Sequence, residues 1–388
     1  DGLVFMYDTG NRKSYVGEPT VNTAGTTGIA NSWNNSGTAA WSSDDTNVSR
    51  LFTNLPVFSM DKLTAGNSHI GIGSTSATVS TEYTYSVYVW IPSSNSVNMA
   101  GSSPYFRPQP ANASVGSLTY EGSSAWGTWP RDQWVRVSIT ATTQATNVTS
   151  AYISCYLNTA GDKIYFTAPQ FEQKGHATPF VNGTRSATQG LIDRTNNTTI
   201  DISNASFDSN AQMVFDGTDD YINVDHESSF DTNVFTIEAW FKSTADDNTH
   251  DSIVTRNGDV YSSTNGWSLG KLRNGLGSTP NALRWIVWGT SAYTDLLGDS
   301  TTTGNWIHAV GVSDGATLYL YQNGVLKTSS SKPTGNIYPA SYGLKVGANK
   351  SGSDVWNGDI AAVKMYNQAL TSAEVLQNFN ATKSRFGL

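Results

Sequence analysis

The chain has 388 residues, which is enough for two domains at roughly 150 residues each. Hydrophobic residues make up 38% of it, aromatic residues 11% and charged residues only 14%, a balance that favours β-sandwiches over helical bundles. The formal net charge of −8 leaves no basic stripe for a phosphate backbone, so nucleic acid is excluded as an expected partner.

The single cysteine, Cys155, lies in a strand-like run and cannot form an internal disulfide. It is therefore predicted to be a small buried hydrophobe. No apolar run approaches the roughly 20 residues that span a bilayer, so membrane insertion is not expected. The chain opens on Asp1-Gly2-Leu3 rather than on a signal sequence, which favours a further segment upstream of Asp1.

Residues 1–20 are predicted to form an N-terminal arm or strand. They contain a short apolar run, 3–7, followed by a turn-rich exit through Gly10, Gly17 and Pro19. Two alternatives remain open for the apolar run. It either pairs back onto the C-terminal domain, with the intervening domain inserted, or it belongs to an independent arm.

Residues 21–182 are predicted to form an antiparallel β-sandwich. Runs within them alternate apolar and polar positions, with Gly, Pro and Ser between, as strands with one buried side do; the clearest are 84–90, 134–139, 152–157 and 163–166. This part resembles the carbohydrate-binding-module-like domains of phage head and tail proteins. The resemblance is carried by 134–138 (WVRVS), 168–172 (APQFE) and 177–180 (ATPF).

Residues 183–388 are predicted to form a second antiparallel sandwich. In the run 235–241, Phe235 and Ile237 fall on one face while Thr236 and Glu238 fall on the other, which is typical of a strand with one buried side. Asp-Gly at 314–315 and Asn-Gly at 323–324 are hairpin signals, because these residues tolerate a positive φ. Thr371 with Glu374 three residues later is a capping box that predicts one short C-terminal helix.

This second sandwich resembles the laminin-G-like, concanavalin-A-like jelly-roll family. The motifs are, in order, 215–222 (FDGTDDYI), 235–241 (FTIEAWF), 305–310 (NWIHAV), 318–324 (LYLYQNG), 356–360 (WNGDI) and 370–375 (LTSAEV). The expected fold class is therefore all-β: a carbohydrate-binding-module-like sandwich, then a concanavalin-A/laminin-G-like jelly roll with the short helix at its end. Such a resemblance identifies the fold and leaves the function open, because the fold carries sugar binders, protein binders and hydrolases.

A catalytic centre is not expected, and no catalytic residue is predicted. Hydrolases of the jelly-roll fold carry Glu and Asp at alternate positions of one strand, so that two carboxylates point into one groove. No such run occurs in the sequence. The histidines lack both a nearby serine-nucleophile motif and a paired metal-binding motif. The chain is therefore predicted not to be an enzyme.

Calcium is the one cofactor that the resemblance suggests. Laminin-G-like domains often hold calcium at the rim through carboxylate and amide oxygens, which are the hard ligands that this ion prefers. The candidates are Asp216, Asp219 and Asp220 on one loop, Asn357 and Asp359 on another, and Asp162 in the first sandwich, where related sugar-binding modules place a calcium ligand. The alternative is that these residues form ordinary turns through hydrogen bonds to their own backbone.

Sugar binding would require exposed aromatic rings, because a Trp or Tyr face packs on the apolar face of a pyranose. The candidates lie in turn-rich segments: Trp126, Trp129, Tyr261, Trp267, Tyr293 and Trp356. Tyr338 and Tyr342 are further aromatic residues in such segments. For each ring the alternative is burial or coverage of a sandwich edge.

The module order resembles that of viral particle proteins. It implies a non-enzymatic virion structural protein of a phage-like virus, exposed on the particle surface as a head or tail fibre or a capsid decoration. Its expected partners are other virion proteins, copies of itself, with a trimer favoured, and a host-surface glycan or protein. One alternative is a secreted or cell-surface bacterial adhesin or carbohydrate-binding module. A jelly-roll glycan hydrolase comes third, because its paired carboxylates are missing.

Overall fold

The computed structural model describes residues 2–25, 29–34, 37–96, 106–110, 119–145, 151–207, 213–244, 250–257, 265–272, 279, 281–301 and 304–388. Strands account for 48% of the chain and helices for 7%, so the prediction of an all-β fold is confirmed. The chain divides into two compact units. One is Thr20–Arg185, and the other joins Asp1–Pro19 to Ser186–Leu388. No helix within the described ranges is long and apolar enough to cross a membrane.

The N-terminal strand, β1 (Leu3–Asp8), lies in the same unit as the C-terminal half of the chain. It pairs antiparallel with the strand Asn357–Tyr366. Phe5 and Tyr7 point into the core of that unit and are fully buried, and burial raises the pKa of Tyr7 far above its ordinary value. Of the two alternatives for this segment, the structure has the pairing with the C-terminal domain.

The inserted unit is a β-sandwich with one core. Its strands are β2 (Thr20–Val21), β3 (Ile29–Asn34), β4 (Ala39–Ser42), β5 (Phe58–Lys62), β6 (Ser68–Thr75), β7 (Glu82–Trp90), β8 (Phe106–Pro110), β9 (Trp134–Thr142), β10 (Ala151–Leu157), β11 (Lys163–Glu172) and β12 (Thr184–Arg185), with a 3-10 turn at Trp126–Thr128. A four-stranded sheet, β3-β6-β10-β8, faces a five-stranded sheet, β4-β5-β11-β7-β9, across a core built around Phe58, Tyr85 and Phe166. Cys155 is buried in this core, as predicted, and burial raises the pKa of its thiol.

Each unit brings its own chain ends together at the insertion. In the inserted unit β2 pairs with β12, so that Thr20 lies opposite Arg185. In the other unit the N–H groups of Val16 and Gly17 donate to the carbonyl oxygen of Gly190 at 2.8 and 3.2 Å. At the point where the chain passes from one unit to the other, each unit therefore pairs its backbone N–H and C=O groups within itself.

The second unit is a jelly roll. After helix α1 (Ala187–Gly190) its strands are β13 (Ile200–Asn204), β14 (Ser206–Phe207), β15 (Met213–Asp216), β16 (Tyr221–Val224), β17 (Val234–Ser243), β18 (Asp251–Arg256), β19 (Gly266–Lys271), β20 (Ala282–Trp288), β21 (Tyr293–Ser300), β22 (Trp306–Asp314), β23 (Thr317–Gln322), β24 (Val325–Ser331), β25 (Leu344–Val346) and β26 (Asn357–Tyr366), then helix α2 (Ser372–Thr382) and 3-10 turns at Ser228–Phe230 and Lys383–Phe386. The eight-stranded sheet has the order β14-β15-β26-β17-β22-β23-β24, with β1 also on β26. The seven-stranded sheet has the order β13-β16-β25-β18-β19-β20-β21.

Strand β17 has the predicted alternation, but both of its faces are buried. Phe235 and Ile237 enter the core between the sheets, and the opposite face carries Glu238 and Trp240, each 1% exposed. Helix α2 and the 3-10 turn that follows it cover this opposite face, where Trp240 stacks on Phe386 with 4.1 Å between ring centroids. The expectation of one buried side was wrong, because nothing in the strand itself signals that a helix covers its polar face.

A buried charge cluster lies beneath α2. Glu238 accepts hydrogen bonds from Lys364 Nζ at 2.6 Å and from Asn378 Nδ2 at 2.8 Å, and His308 Nε2 is 3.3 Å from the same carboxylate. Burial favours the neutral acid, but the contact with His308 and the hydrogen bond and positive charge of Lys364 outweigh it and lower the pKa of Glu238 to about 2. The predicted capping box, Thr371 with Glu374, starts the helix above this cluster.

We expect acid to weaken the jelly roll through Glu238. Because the pKa of this carboxyl is about 2 in the folded chain and 4.5 without its partners, its contribution to stability is complete above pH 4.5 and is lost as the pH falls towards 2. Glu238→Gln should lower the free energy of unfolding at pH 7 by roughly 3 kcal/mol and flatten the pH dependence in that window. Urea unfolding at several pH values measures both effects. Glu227→Gln, which changes a surface glutamate of the same unit, is the control, and an equal loss in both variants would contradict the assignment.

Candidate ligand-binding groove

One row of side chains crosses three neighbouring strands on the outer face of the seven-stranded sheet. Asn223 on β16 lies opposite Lys345 on β25, and Lys345 lies opposite Thr255 on β18. The residues that alternate with them, such as Ile222 and Val346, enter the core. Because strand side chains alternate between faces, the row is held at fixed spacing on the side away from the core.

A groove runs over this row. A cavity of about 390 Å³ adjoins a second of about 540 Å³, and Asn257, Tyr342 and Lys350 line both. The wall of the first cavity carries carboxylates, amines, an imidazole, amides and hydroxyls: Asp201, Asn223, Asp225, His226, Thr255, Asn257, Ser341, Tyr342, Lys345 and Lys350. The groove therefore offers both hydrogen-bond donors and acceptors along its length.

Tyr342 supplies an exposed aromatic ring where the two cavities meet, with 52% of its surface exposed. Its loop is held from below by the buried guanidinium of Arg256, which donates to the carbonyl oxygens of Tyr342 at 2.9 Å and Pro339 at 3.1 Å and pairs with Asp231. Next to the ring, a Cβ on Gly343 would lie 1.9 Å from the carbonyl oxygen of Val224, so only glycine fits there. The ring is thus presented by a fixed loop.

Lys345 places a cation in the wall of the first cavity. Its Nζ lies 4.2 Å from the centroid of the Tyr221 ring and donates to the carbonyl oxygen of Lys350 at 3.3 Å. Burial lowers the pKa of this ammonium. The cation–π contact fixes the ammonium group of Lys345, and the remaining N–H bonds of that ammonium can reach a ligand. The neighbouring hydroxyl of Thr255 is used internally, since it donates to the carbonyl oxygen of Trp267 at 2.9 Å.

The structure corrects three of the predicted aromatic ligand sites. Trp129, Trp267 and Trp356 are at most 2% exposed, so no sugar can stack on them. Each is a core residue: Trp267 stacks on Phe235 at 5.4 Å and Trp356 meets Phe241 edge-on at 5.2 Å. Turn-rich flanks suggested exposure, but the large apolar area of an indole favours burial.

The other predicted rings have different outcomes. Tyr293 is 62% exposed at the start of the outermost strand β21, and it does not line the groove. The side chain of Trp126 and the whole of Tyr261 lie outside the described residues. Tyr342, one of the aromatic residues singled out in a turn-rich segment, is the ring that the structure brings to the groove. Arg256 was missed, because a charged residue at a strand end carries no sequence signal for this role.

Three of the predicted calcium ligands lie together. Oxygen atoms of Asp216, Asp219 and Asp220 all lie within 4.8 Å of one another. Asp220 is buried and accepts from Ser206 Oγ at 2.7 Å and from the N–H of Asp216 at 2.9 Å. Burial, and then the charges of the two other aspartates, raise the pKa of Asp220. A hard cation would offset this repulsion, so the three carboxylates fit calcium chemically.

The remaining calcium candidates have other contacts. Asn357 lies opposite Asp216 in the sheet, and its Oδ1 accepts from Thr244 Oγ1 at 2.7 Å. The carboxylate of Asp359 pairs with Lys242, whose Nζ lies 2.6 Å away. In the inserted unit, both oxygens of Asp162 accept hydrogen bonds from Ser96, at 2.7 and 2.6 Å, so this residue fixes a turn.

Comparison with known proteins supports the fold of the second unit. Residues 216–376 match the model of the concanavalin A-like lectin/glucanases superfamily. The resemblance predicted from the sequence is confirmed for this segment, which runs from β15 to α2. No sequence among the curated proteins matches the chain.

Several solved structures are similar in fold. They include the binding domain of botulinum neurotoxin serotype D, with 16% identity and a TM-score of 0.40 over 51% of this chain and 50% of that one. The binding domain of Paraclostridial Mosquitocidal Protein 1 has 15% identity and a TM-score of 0.38, over 49% of each chain. The CBM40 of Ruminococcus gnavus IT-sialidase, bound to α2,3 sialyllactose, has 15% identity and a TM-score of 0.32 over 38% of this chain and 82% of that one. The match thus spans about half the length of the two toxin domains.

We expect the aspartate cluster to respond to calcium. At about 1 mM, Ca²⁺ should raise the thermal unfolding midpoint of the full chain by a few degrees relative to EDTA, because an ion that binds only the folded state stabilises it. Asp219→Asn should abolish the increase. Asp299→Asn, which removes a carboxylate paired with Lys327 elsewhere on the same unit, is the control and should retain it. An unfolding midpoint that calcium does not change would show that the cluster is only a turn.

Proposed function

We propose that the chain is a non-enzymatic glycan-binding protein of a phage-like virion, exposed on the particle surface as a fibre or decoration, and that the groove holds a host-surface glycan. The observation that carries the proposal is the exposed ring of Tyr342 beside a fixed row of polar side chains. A pyranose has one apolar face for such a ring and hydroxyls for the row.

The anchoring of the groove favours binding. Arg256 holds the loop of Tyr342, and the Tyr221 ring holds Lys345, so little conformational freedom is lost when a ligand arrives. Immobilising one flexible side chain costs about 0.5–1.5 kcal/mol, and a site that is already ordered avoids this cost. The groove is also open, which suits an internal segment of a longer saccharide.

The placement of the groove carboxylates supports binding without hydrolysis. Asp201 lies on β13 and Asp225 follows β16, and Asp225 is exposed to solvent. A general acid in a glycosidase needs a water-poor environment that keeps its proton, and a second carboxylate across the scissile bond. An exposed aspartate lacks the first of these requirements.

The virion assignment rests on the order of the modules. Residues 2–15, which read GLV, an aromatic residue, Asp, Asn and then Ser-Tyr, resemble a segment that often directly precedes the jelly roll in laminin-G-like proteins of viral particles. Strand β1 of this segment completes the eight-stranded sheet of the jelly roll. The proposed partners are other virion proteins and further copies of the chain, as a trimer, because such surface proteins act as symmetric oligomers.

Binding in the groove is tested with a glycan array and two matched tyrosine variants of the full chain. Tyr342→Ala should weaken binding of the glycans that the unmodified chain retains by about tenfold or more, because the stacking face is lost. Tyr293→Ala removes an exposed ring outside the groove and should bind normally. Equal binding by all three proteins would overturn the assignment of the groove. Release of shorter sugars during incubation with a bound glycan would overturn the non-enzymatic assignment.

The virion assignment is tested by mass spectrometry of purified particles, with peptide counts normalised to the major capsid protein. We expect a constant ratio of this chain to the capsid protein. Hundreds of copies would indicate capsid decoration, and a small number would indicate a fibre. Absence from particles that are produced alongside the chain would overturn the virion assignment and favour a secreted adhesin.

A further inference from the structure

A second pocket lies on the eight-stranded sheet, away from the groove. Its volume is about 410 Å³. Its base is a row across three strands, in which Lys242 on β17 lies opposite Trp306 on β22 on one side and opposite Asp359 on β26 on the other. Their neighbours Phe241, Ile307 and Ile360 enter the core, so the row faces outward. We call this site the paired-charge pocket.

The C-terminal 3-10 turn adds a second cation to this pocket. Arg385 Nη1 is 2.7 Å from both carboxylate oxygens of Asp8, and its guanidinium lies 4.9 Å from the centroid of the Phe386 ring. Gly10 leaves the space for it, because a Cβ there would lie 2.2 Å from Arg385 Nη2. An alanine at this position would displace the guanidinium, which is the flexible end of its side chain.

Aromatic rings line the pocket between the two cations. Trp306 is half-buried, and its ring centroid is 4.8 Å from that of Phe386. Lys242 Nζ lies 5.1 Å from the centroid of the Trp306 ring and 2.6 Å from Asp359. The cation is therefore oriented by an indole and a carboxylate at once.

The charge of the pocket differs from that of the chain. The lining contains two cations, Lys242 and Arg385, and one carboxylate, Asp359, whereas the whole chain carries a net charge of −8. The cations are held by Asp359 and Asp8, yet an ammonium has three N–H donors and a guanidinium five, so donors remain for a ligand. The two cations are balanced by two carboxylates, so the pocket is locally neutral in an acidic chain, and its charged N–H donors and aromatic walls suit a ligand that has both a carboxylate and an apolar face.

We propose that the paired-charge pocket binds an acidic saccharide, a pyranose that carries a carboxylate. Lys242 and Arg385 take the carboxylate, and the ring packs against Trp306. Asp359 accepts hydrogen bonds from the hydroxyls. The site is separate from the groove on the seven-stranded sheet, and its occupancy does not depend on what the groove binds.

The proposal is tested with a matched pair of probes, methyl β-glucuronide and methyl β-glucoside, which differ in one carboxylate. Titration of the full chain, followed by saturation-transfer NMR, should show that the glucuronide binds at least about tenfold more tightly, and that added NaCl weakens its binding. Equal affinity for the two probes would overturn the proposal. Absence of glucuronide binding at roughly tens of millimolar, about the weakest affinity that such a set of contacts gives, would overturn it too.

Variants locate the site. Lys242→Met and Gly10→Ala should each reduce glucuronide affinity by about tenfold or more, while Lys242→Arg should largely restore it. Lys327→Met removes a lysine that has the same 2.6 Å pairing, with Asp299, on a different strand, and should bind normally. Tyr293→Ala, which changes an exposed ring that lines neither this pocket nor the groove, should also bind normally. Thermal unfolding confirms that each variant is folded. Full binding by folded Lys242→Met would overturn the proposal.

Discussion

The backbone hydrogen bonds of strand β26 hold the jelly roll together. One edge of β26 pairs with β17 over eight partners, and the other edge pairs with β1 and β15. The first residues of the chain thus complete a sheet near its end, although a whole unit is inserted after Pro19. Such an insertion is tolerated because the entropy of closing a loop grows only slowly with its length. The same strand carries Lys364 to the buried charge cluster and Asp359 to the paired-charge pocket.

The two sheets of the jelly roll differ in what covers their outer faces. Helix α2 and the turn after it bury Trp240 and Glu238 on the eight-stranded sheet, and a pocket opens at Trp306 on the same sheet. The seven-stranded sheet presents the groove, in which polar side chains remain accessible around Tyr342. A buried and paired Glu238 adds stability and positions a helix, whereas the less enclosed polar row is available for recognition.

Local patterns predicted the elements of the fold. The alternation in β17, the capping box at Thr371 and the motifs from 215 to 375 each depend on residues that are close in sequence. The sequence left open whether β1 pairs with the C-terminal domain, because that pairing joins residues more than 350 positions apart in the sequence, such as Tyr7 and Val363. The groove was not foreseen, since its lining comes from separate segments that the strand register brings together. Burial of Trp267 and Trp356 also depends on the packing of distant strands.

The paired ends of the inserted unit have an evolutionary consequence. Because β2 lies against β12, this unit leaves and rejoins the chain at neighbouring points, and Val16 and Gly17 meet Gly190 in the jelly roll in the same way. A recombination event that adds, removes or exchanges a domain between residues 19 and 186 leaves the register of every jelly-roll strand unchanged. The junction is therefore a site where a different domain can be accommodated while the same jelly-roll scaffold is kept.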